Sequence, residues 1–559
     1  MERTSLFAWI LLLAASPLPA GRKPDFQALC YHDVQDRVCD PDGMAVSTAN
    51  LVAQFQWLQA HGFHPVSVDD LLSAAGGKKE LPPDPILITF DDGFRSFYTR
   101  VYPLLLRFRF PAVLSLVGKW MEVPPGGTVD YGGKPLPREA FVTWEEVREM
   151  TASGLVEIAS HTYDLHKGVP ANPQGNLQPA LRARIYDPAS GTYETDETYE
   201  GRIRRDLERN SSIILSRTGR RPRVVTWPYG KSSGPARRIA RSLGMVVALS
   251  LKEEDPNSID ELGDIHRRLM YRNPSLEKFV WSIRHPHRLG PRRFLFLDLD
   301  LVFSVDPAVQ EKRLGILLDR VKSLGVNRVC LKAWWDRDAD GRPEALFFPN
   351  RVLPVRSDLL NRAAWQLWTR ASVEVYVEMP GPSSFDLPFP KVQEIFEDLG
   401  KYADFSGLVL PGKENFGRTA ALEACTRVHL PELFTARKFS RALPLPPGKK
   451  GSPSTSRLME EENLLIFLLP GGRKPARLAG RPALPWGALP NLQEKILFVV
   501  DEEGEGPVFP SPSALDLLRF LQVVGIRNLG YAPRNFLGPD YVERSLRPLL
   551  SAEDFPFRR

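Results

Sequence analysis

Cysteine is scarce: four residues in 559, at positions 30, 39, 330 and 425, with no Cys-x-x-Cys pair. That excludes the thiolate zinc sites built on paired cysteines. Cys30 and Cys39 lie close enough to pair in an oxidising compartment. Yet Cys30 in "FQALCY" and Cys330 in "NRVCLKAW" sit in apolar runs, which suits buried free thiols. A basic block is also missing. The 73 Lys and Arg against 67 Asp and Glu leave a net charge of +6 spread along the chain, so no nucleic-acid partner is expected. No apolar run reaches the roughly 20 residues that span a bilayer. The run "LFAWILLLAA" at 6–15 follows Arg3 and precedes the small-residue stretch "SPLPAG". This pattern predicts a secretory signal peptide over residues 1–20, with a retained membrane anchor as the alternative.

The length is too great for one ordinary core, which favours two domains. Short apolar runs alternate with amphipathic stretches: "FQALCYH" (26–32), "PILITF" (85–90), "PAVLSLVG" (111–118), "LVEIAS" (155–160), "RVVTWPY" (223–229) and "MVVAL" (245–249) read as buried strands with helices between them. Continuously apolar strands alternating with helices mark a parallel α/β architecture. A second series starts at "FLFLDLDLVF" (294–303) and runs to "NLGYAP" (528–533), after the basic, Pro- and Gly-containing stretch 283–294. The expected fold is therefore two consecutive barrel-like α/β units, over 26–286 and 292–555. The stretch "LPLPPGKKGSPSTSR" (443–457) reads as a surface loop.

"ILITFDDGF" (86–94) ends an apolar strand on two carboxylates, Asp91 and Asp92, and a glycine. Two like charges side by side are costly in a dry place. Further on, "EIASHTYDLHKG" (157–168) ends another strand and gives His161 and His166. Alone, that pair reads as loop histidine. In parallel α/β folds, however, the C-terminal strand ends share one face. Two imidazoles and one carboxylate make a facial metal set with open positions. If Asp92 binds a divalent cation, its charge is neutralised, and Asp91 beside it is free to serve as general base. The ligand types admit zinc, nickel, cobalt or iron. Gly93 allows the sharp turn that lets neighbouring side chains share a cavity. A third strand end, "VVTWPYG" (224–230), offers Trp227 and Tyr229 as aromatic walls, Pro228 as a stiff turn, and a backbone N–H for an oxyanion; core packing explains it equally well. A fourth, "YHDV" (31–34), carries His32, a candidate general acid or a structural histidine.

In this order the four pieces resemble the NodB-like polysaccharide deacetylases: Thr89-Phe90-Asp91-Asp92-Gly93, then His161-Thr162 with His166, then Pro228-Tyr229-Gly230. The resemblance implies Asp91 as catalytic base, Asp92, His161 and His166 as ligands of one divalent metal ion, and hydrolysis of an N-acetyl or O-acetyl group. Longer stretches are similar to the two-domain poly-β-1,6-N-acetyl-D-glucosamine N-deacetylases, among them "FDDGFRSFYTRVYPLL" (90–105), "WPYGKSSG" (227–234) and "DLDLVFSVDPAVQEKRLGILLDRVKSLGVNRVCLKAWWDRDADG" (298–341). That likeness implies a distorted seven-stranded deacetylase barrel followed by a (β/α)8-like barrel that binds the partly deacetylated polymer. It also implies export to the periplasm, the outer membrane or beyond, and contact with outer-membrane export machinery. Deacetylation of chitin oligomers or peptidoglycan is the alternative, and a polysaccharide-binding export protein with little catalysis is another. The Arg that usually precedes the PYG turn is replaced: Thr226 and Trp227 stand before Pro228. The two-domain subfamily shares that departure, which favours His32 as the acid.

In the second unit, Asp298, Asp300, Trp334, Trp335 and Asp336 are candidates for an acidic, aromatic groove. Carboxylates there would pair with glucosaminium groups, and tryptophans would stack on sugars. A structural network around Asp298 and Asp300 is the competing expectation. The subfamily's hydrolase carboxylates are expected after "FSGLVL", where this chain reads Pro411-Gly412-Lys413-Glu414, so binding rather than cleavage is expected. "DRDADG" (336–341) mimics the start of a calcium loop but lacks its remainder, which points to an acidic turn.

Overall fold

The structure is a computed structural model. It describes residues 26–40, 42–251, 257–285, 290–439, 464–470, 495–502, 510–523, 526–533, 536–538 and 543–552. The expected signal segment, the 443–457 loop and part of the 283–294 stretch lie outside these residues. The chain divides into two compact units, one within residues 22–288 and the other from 289 onward.

In the first unit, parallel strands β1 (Gln27–Tyr31), β2 (Pro85–Phe90), β3 (Ala112–Leu116), β4 (Val156–Ser160), β5 (Val224–Thr226) and β6 (Val247–Ser250) form a curved sheet. Its spatial order is β6-β5-β4-β3-β2-β1, and it ends on β7 (Ile265–His266) beside β6 and β8 (Arg268–Leu269) beside β1. β7 and β8 are consecutive in the chain, separated by Arg267 alone. One interrupted seventh strand therefore draws both edges of the sheet together into a distorted barrel.

Period two explains the layers. Leu29, Tyr31, Ile86, Ile88, Phe90, Leu114 and Leu116 face outward and pack on α1 (Thr48–Ala60), α2 (Tyr102–Phe108) and α3 (Trp144–Ala152). The opposite parity, Ala28, Leu87, Val113, Ala159, Val224 and Leu249, fills the centre with small and branched groups. That inward parity continues along the strands to Cys30, Thr89, Asp91, Ser115, His161 and Thr226, so a polar layer sits above an apolar plug. α3 starts with a capping box between Thr143 and Glu146, and α4 (Asp196–Thr218) ends on Gly219 in the left-handed conformation.

The second unit is a closed barrel of eight parallel strands, from β9 (Arg293–Asp298) through β10 (Arg328–Lys332), β11 (Glu374–Glu378), β12 (Gly407–Pro411), β13 (Phe434–Phe439), β14 (Leu464–Pro470) and β15 (Ile496–Asp501) to β16 (Leu529–Ala532). Phe294, Phe296, Cys330, Tyr376, Val409 and Ile466 pack together in one layer, and Leu295, Leu297, Val329 and Leu331 belong to the other. All four cysteines are free thiols, with Cys30 and Cys330 buried. No described helix is long and apolar enough to cross a membrane.

Candidate active site

Strand register assembles the site. Tyr31 pairs with Phe90, so His32 and Asp91 leave adjacent strands at the same level. Leu116 pairs with Ser160, and Ser160 with Val225, which sets His161 beside Thr226. The His161 Nδ1–H donates to the Thr226 carbonyl at 2.8 Å, turning Nε2 and its lone pair toward Asp92.

Asp92 Oδ1 lies 3.4 Å from His161 Nε2 and 3.4 Å from His166 Nε2. That oxygen is buried and makes no hydrogen bond among the described residues. The other carboxylate oxygen, Oδ2, accepts from the Tyr131 hydroxyl at 2.7 Å. A 3.4 Å separation matches the edge of a tetrahedron whose centre lies about 2.1 Å from each corner, the reach of zinc–nitrogen and zinc–oxygen bonds. Burial pushes the His166 imidazole down to about 4, leaving it a neutral donor. Burial also opposes charge on His161, but the carboxylates of Asp92 and Asp91 outweigh it and draw the ring's titration upward. The pocket therefore attracts positive charge. Donor types, spacing and the orphaned oxygen all fit a divalent cation.

Asp91 is handled differently. Arg267, wholly buried, grips it with two bonds, Nη1 to Oδ1 at 2.7 Å and Nη2 to Oδ2 at 2.8 Å. Ser115 Oγ donates to Oδ1 at 3.1 Å and the Cys30 thiol to Oδ2 at 3.4 Å. Burial works against charge here, and the Arg267 guanidinium more than offsets it, holding the carboxyl well below the usual range. Arg267 itself is fixed by Thr89 Oγ1 at 2.9 Å and the Ser250 carbonyl at 3.0 Å. One neighbour thus has a full counter-ion. The other faces the Nε2 atoms of two imidazoles and a phenol. A ring nitrogen of His32, an Asp91 oxygen and Cys30 Sγ lie within 4.8 Å of one another, and His32 is half-buried at the rim.

Three non-glycine residues at these strand ends are left-handed: Asp92 (φ 72°), Thr162 (φ 68°) and Tyr229 (φ 58°). Each such conformation costs on the order of 1–3 kcal/mol, and its clustering marks a functional surface. Gly93 (φ 72°) and Gly230 (φ 68°) follow two of them. Tyr229 is 39% exposed, with its ring 4.7 Å from that of His166, while Trp120 lies 5.0 Å from His166 on another side.

The structure corrects several expectations. Trp227 is 1% exposed and packs with Val225, Leu165, Ile203 and Leu207, so it offers no face to a sugar. Its parity matches Val225, which points it away from the barrel interior. Pro228 is buried in the turn. In the second barrel the proposed free carboxylates are already paired: Asp298 with Lys332 at 3.0 Å, Asp300 with Arg356 at 2.9 Å. Arg356 lies 3.7 Å over the Trp335 ring, and Trp334 is 9% exposed with Lys332 4.4 Å from its ring. Asp336 caps its own acidic turn, accepting from Asp340 N at 3.1 Å and Gly341 N at 3.0 Å. Arg267 and Tyr131 were not anticipated. The absent Arg before the PYG turn was the available signal for Arg267, since a buried carboxylate without a cation needs one from elsewhere.

Residues 78–248 match the polysaccharide deacetylase family, and residues 296–391 match hypothetical glycosyl hydrolase family 13. A poly-beta-1,6-N-acetyl-D-glucosamine N-deacetylase of Escherichia coli K12 is 38% identical over 369 residues, 66% of this chain and 54% of that protein. The chain thus spans about half the length of this curated relative. A de-N-acetylase from Aggregatibacter actinomycetemcomitans is 35% identical across 46% of this chain and 98% of its own, with a TM-score of 0.43. The deacetylase domain of BpsB from Bordetella bronchiseptica is 41% identical across 44% of this chain and 97% of its own, with a TM-score of 0.41.

Proposed function

We propose that the first barrel, whose residues 78–248 match the polysaccharide deacetylase family, removes N-acetyl groups from exported poly-β-1,6-N-acetyl-D-glucosamine, with Asp92, His161 and His166 holding one divalent metal ion. The observation that carries this reading is the unequal treatment of adjacent carboxylates. Asp91 is neutralised by Arg267, whereas Asp92 Oδ1 is left bare between two imidazoles.

A bound divalent ion supplies Lewis acidity to the amide carbonyl. The remaining work falls to side chains. Asp91, kept ionised by Arg267, takes a proton from the attacking water. His32, at the rim beside Asp91, gives a proton to the departing glucosamine nitrogen. The C–N bond breaks as the C–O bond forms, leaving acetate and a free amine. Tyr229 presents its exposed ring to the sugar. We assign polymer binding rather than cleavage to the second barrel because Pro411-Gly412-Lys413-Glu414 stands where the hydrolase carboxylates are expected. Glu414 is hydrogen-bonded by Ser383, and Glu378, at the end of β11, is held by Lys438 at 2.8 and 2.9 Å. The substrate for which the Escherichia coli relative is named supports the polymer assignment, and the leader-like N-terminal sequence supports handling of an exported chain.

The test is amine release from β-1,6-linked N-acetylglucosamine oligomers. Activity is expected to vanish with chelator, to return with zinc, nickel, cobalt or iron, and to be lost in Asp91→Asn and His161→Ala. Unchanged activity in either variant refutes the site. Faster turnover of β-1,4-linked oligomers moves the substrate to chitin-like chains.

A further inference from the structure

Asp206 is a buried carboxylate for which the reaction above has no use. It sits in the middle of α4, and its two oxygens take separate backbone donors: Tyr163 N to Oδ1 at 2.8 Å and Asp164 N to Oδ2 at 2.7 Å. Those two amides belong to the loop between His161 and His166. Asn210, one turn along α4, donates to Ser160 Oγ at 2.8 Å and to the Leu116 carbonyl at 3.2 Å. Arg209 lays its guanidinium 3.7 Å over the Tyr163 ring. Helix α4 therefore grips the chain at residues 160, 163 and 164, on both sides of His161. The far side of the loop is tied by Gly118 N to the Thr162 carbonyl at 3.1 Å and Lys119 N to the Tyr163 carbonyl at 2.9 Å.

Burial pushes the Asp206 carboxyl up to about 6; the Tyr163 and Asp164 amides and Lys167 pull it back, while Asp164 adds to the rise. Placing an acid there is unfavourable in itself. What the acid supplies is two well-placed acceptors to a loop whose Thr162 is held at φ 68°. An apolar residue would take both acceptors away from the Tyr163 and Asp164 amides, and the loop would be free to relax.

We propose that Asp206 is a positioning residue of the metal centre, fixing through the Tyr163 and Asp164 amides the place from which His166 presents Nε2. The inference rests on the metal-centre reading above. Partners that orient first ligands typically change metal affinity 10- to 100-fold when removed.

The experiment titrates Co²⁺ into chelator-stripped full-length protein and reads affinity and visible absorption in wild type, Asp206→Asn and Asp206→Glu. All are compared at 25 °C after circular dichroism shows them folded. The expected result for Asp206→Asn is a 10- to 100-fold weaker Co²⁺ affinity with an altered absorption band. Unchanged affinity and spectrum, together with a lower metal-free melting temperature, overturn the proposal and leave Asp206 a plain structural acid. If Asp206→Asn does not fold, Asp206→Glu decides: it keeps two acceptors but displaces them by one methylene, so an altered band supports the role and an unaltered one refutes it. Wild-type protein that takes up no Co²⁺ sinks the metal-centre reading itself, whereas variants that match a Co²⁺-binding wild type sink only the role of Asp206.

Discussion

Replacing Arg267 by Gln removes the counter-ion of Asp91 while leaving a polar side chain of similar length. Two bonds to the carboxylate disappear, at 2.7 and 2.8 Å, leaving Ser115 at 3.1 Å and the Cys30 thiol at 3.4 Å. Charge-assisted hydrogen bonds contribute about 1.5–3 kcal/mol each, and one pKa unit is 1.36 kcal/mol, so a net loss near 3 kcal/mol raises the Asp91 carboxyl by about two units. Burial, which already opposes the charge, acts in the same direction. The base works ionised, so the acid limb of kcat/KM is expected to move to higher pH by about two units. Stability falls as well. Breaking one partner of a buried pair costs about 3–5 kcal/mol, which for a domain of roughly 150–250 residues lowers Tm by about 10 °C. The sign of the pH effect on stability follows from a folded carboxyl held below its unfolded value. The pair's contribution is complete above about pH 5 and is lost as pH falls, and Arg267→Gln removes that slope. The assay is a pH–rate profile for amine release alongside thermal melts, with Arg267→Lys as a variant that retains charge without the fork. An acid limb that stays in place in Arg267→Gln, while Tm drops, refutes the claim that Arg267 sets the ionisation of the base.

Three further substitutions probe the backbone. Arg109, exposed and left-handed (φ 56°) at the C-cap of α2, is expected to gain about 1 kcal/mol when replaced by Gly, seen as a Tm increase of about 2–4 °C with unchanged amine release. Gly230→Ala is expected to be more damaging than Gly93→Ala by melt and by turnover. A Cβ at 230 meets the Leu251 backbone nitrogen at 2.9 Å, whereas one at 93 meets the movable Leu116 Cδ2 at 2.8 Å; the reverse order counts against this account.

Much of the first barrel was readable because its strands are continuous apolar runs that stop on polar residues. Period two then carries Cys30, Thr89, Asp91, Ser115 and Thr226 inward together. The same alternation, applied one residue further, places Trp227 with Val225 on the outward side, a consequence missed when the residue was judged by its chemistry alone. Arg267 escaped because its flanking strands are two residues each, too short to show any period. Tyr131 escaped because it ends one strand of a hairpin, Thr128–Tyr131 with Lys134–Pro137, inserted between β3 and β4. In the second barrel the carboxylates were visible, but their cations come from neighbouring strands and loops. Lys332 stands opposite Asp298 only once β9 and β10 are in register.

The seam at Arg267 has a kinetic side. The candidate ligands, the base and the acid lie between residues 32 and 166, within the early part of the domain. The counter-ion of the base arrives 176 residues after Asp91, on the segment that draws the two sheet edges together. A growing chain that ends before that segment holds every reacting group and still lacks a settled base. On the proposed mechanism, catalytic competence is thereby tied to topological completion: the segment that closes the barrel is the one that brings Asp91 its counter-ion.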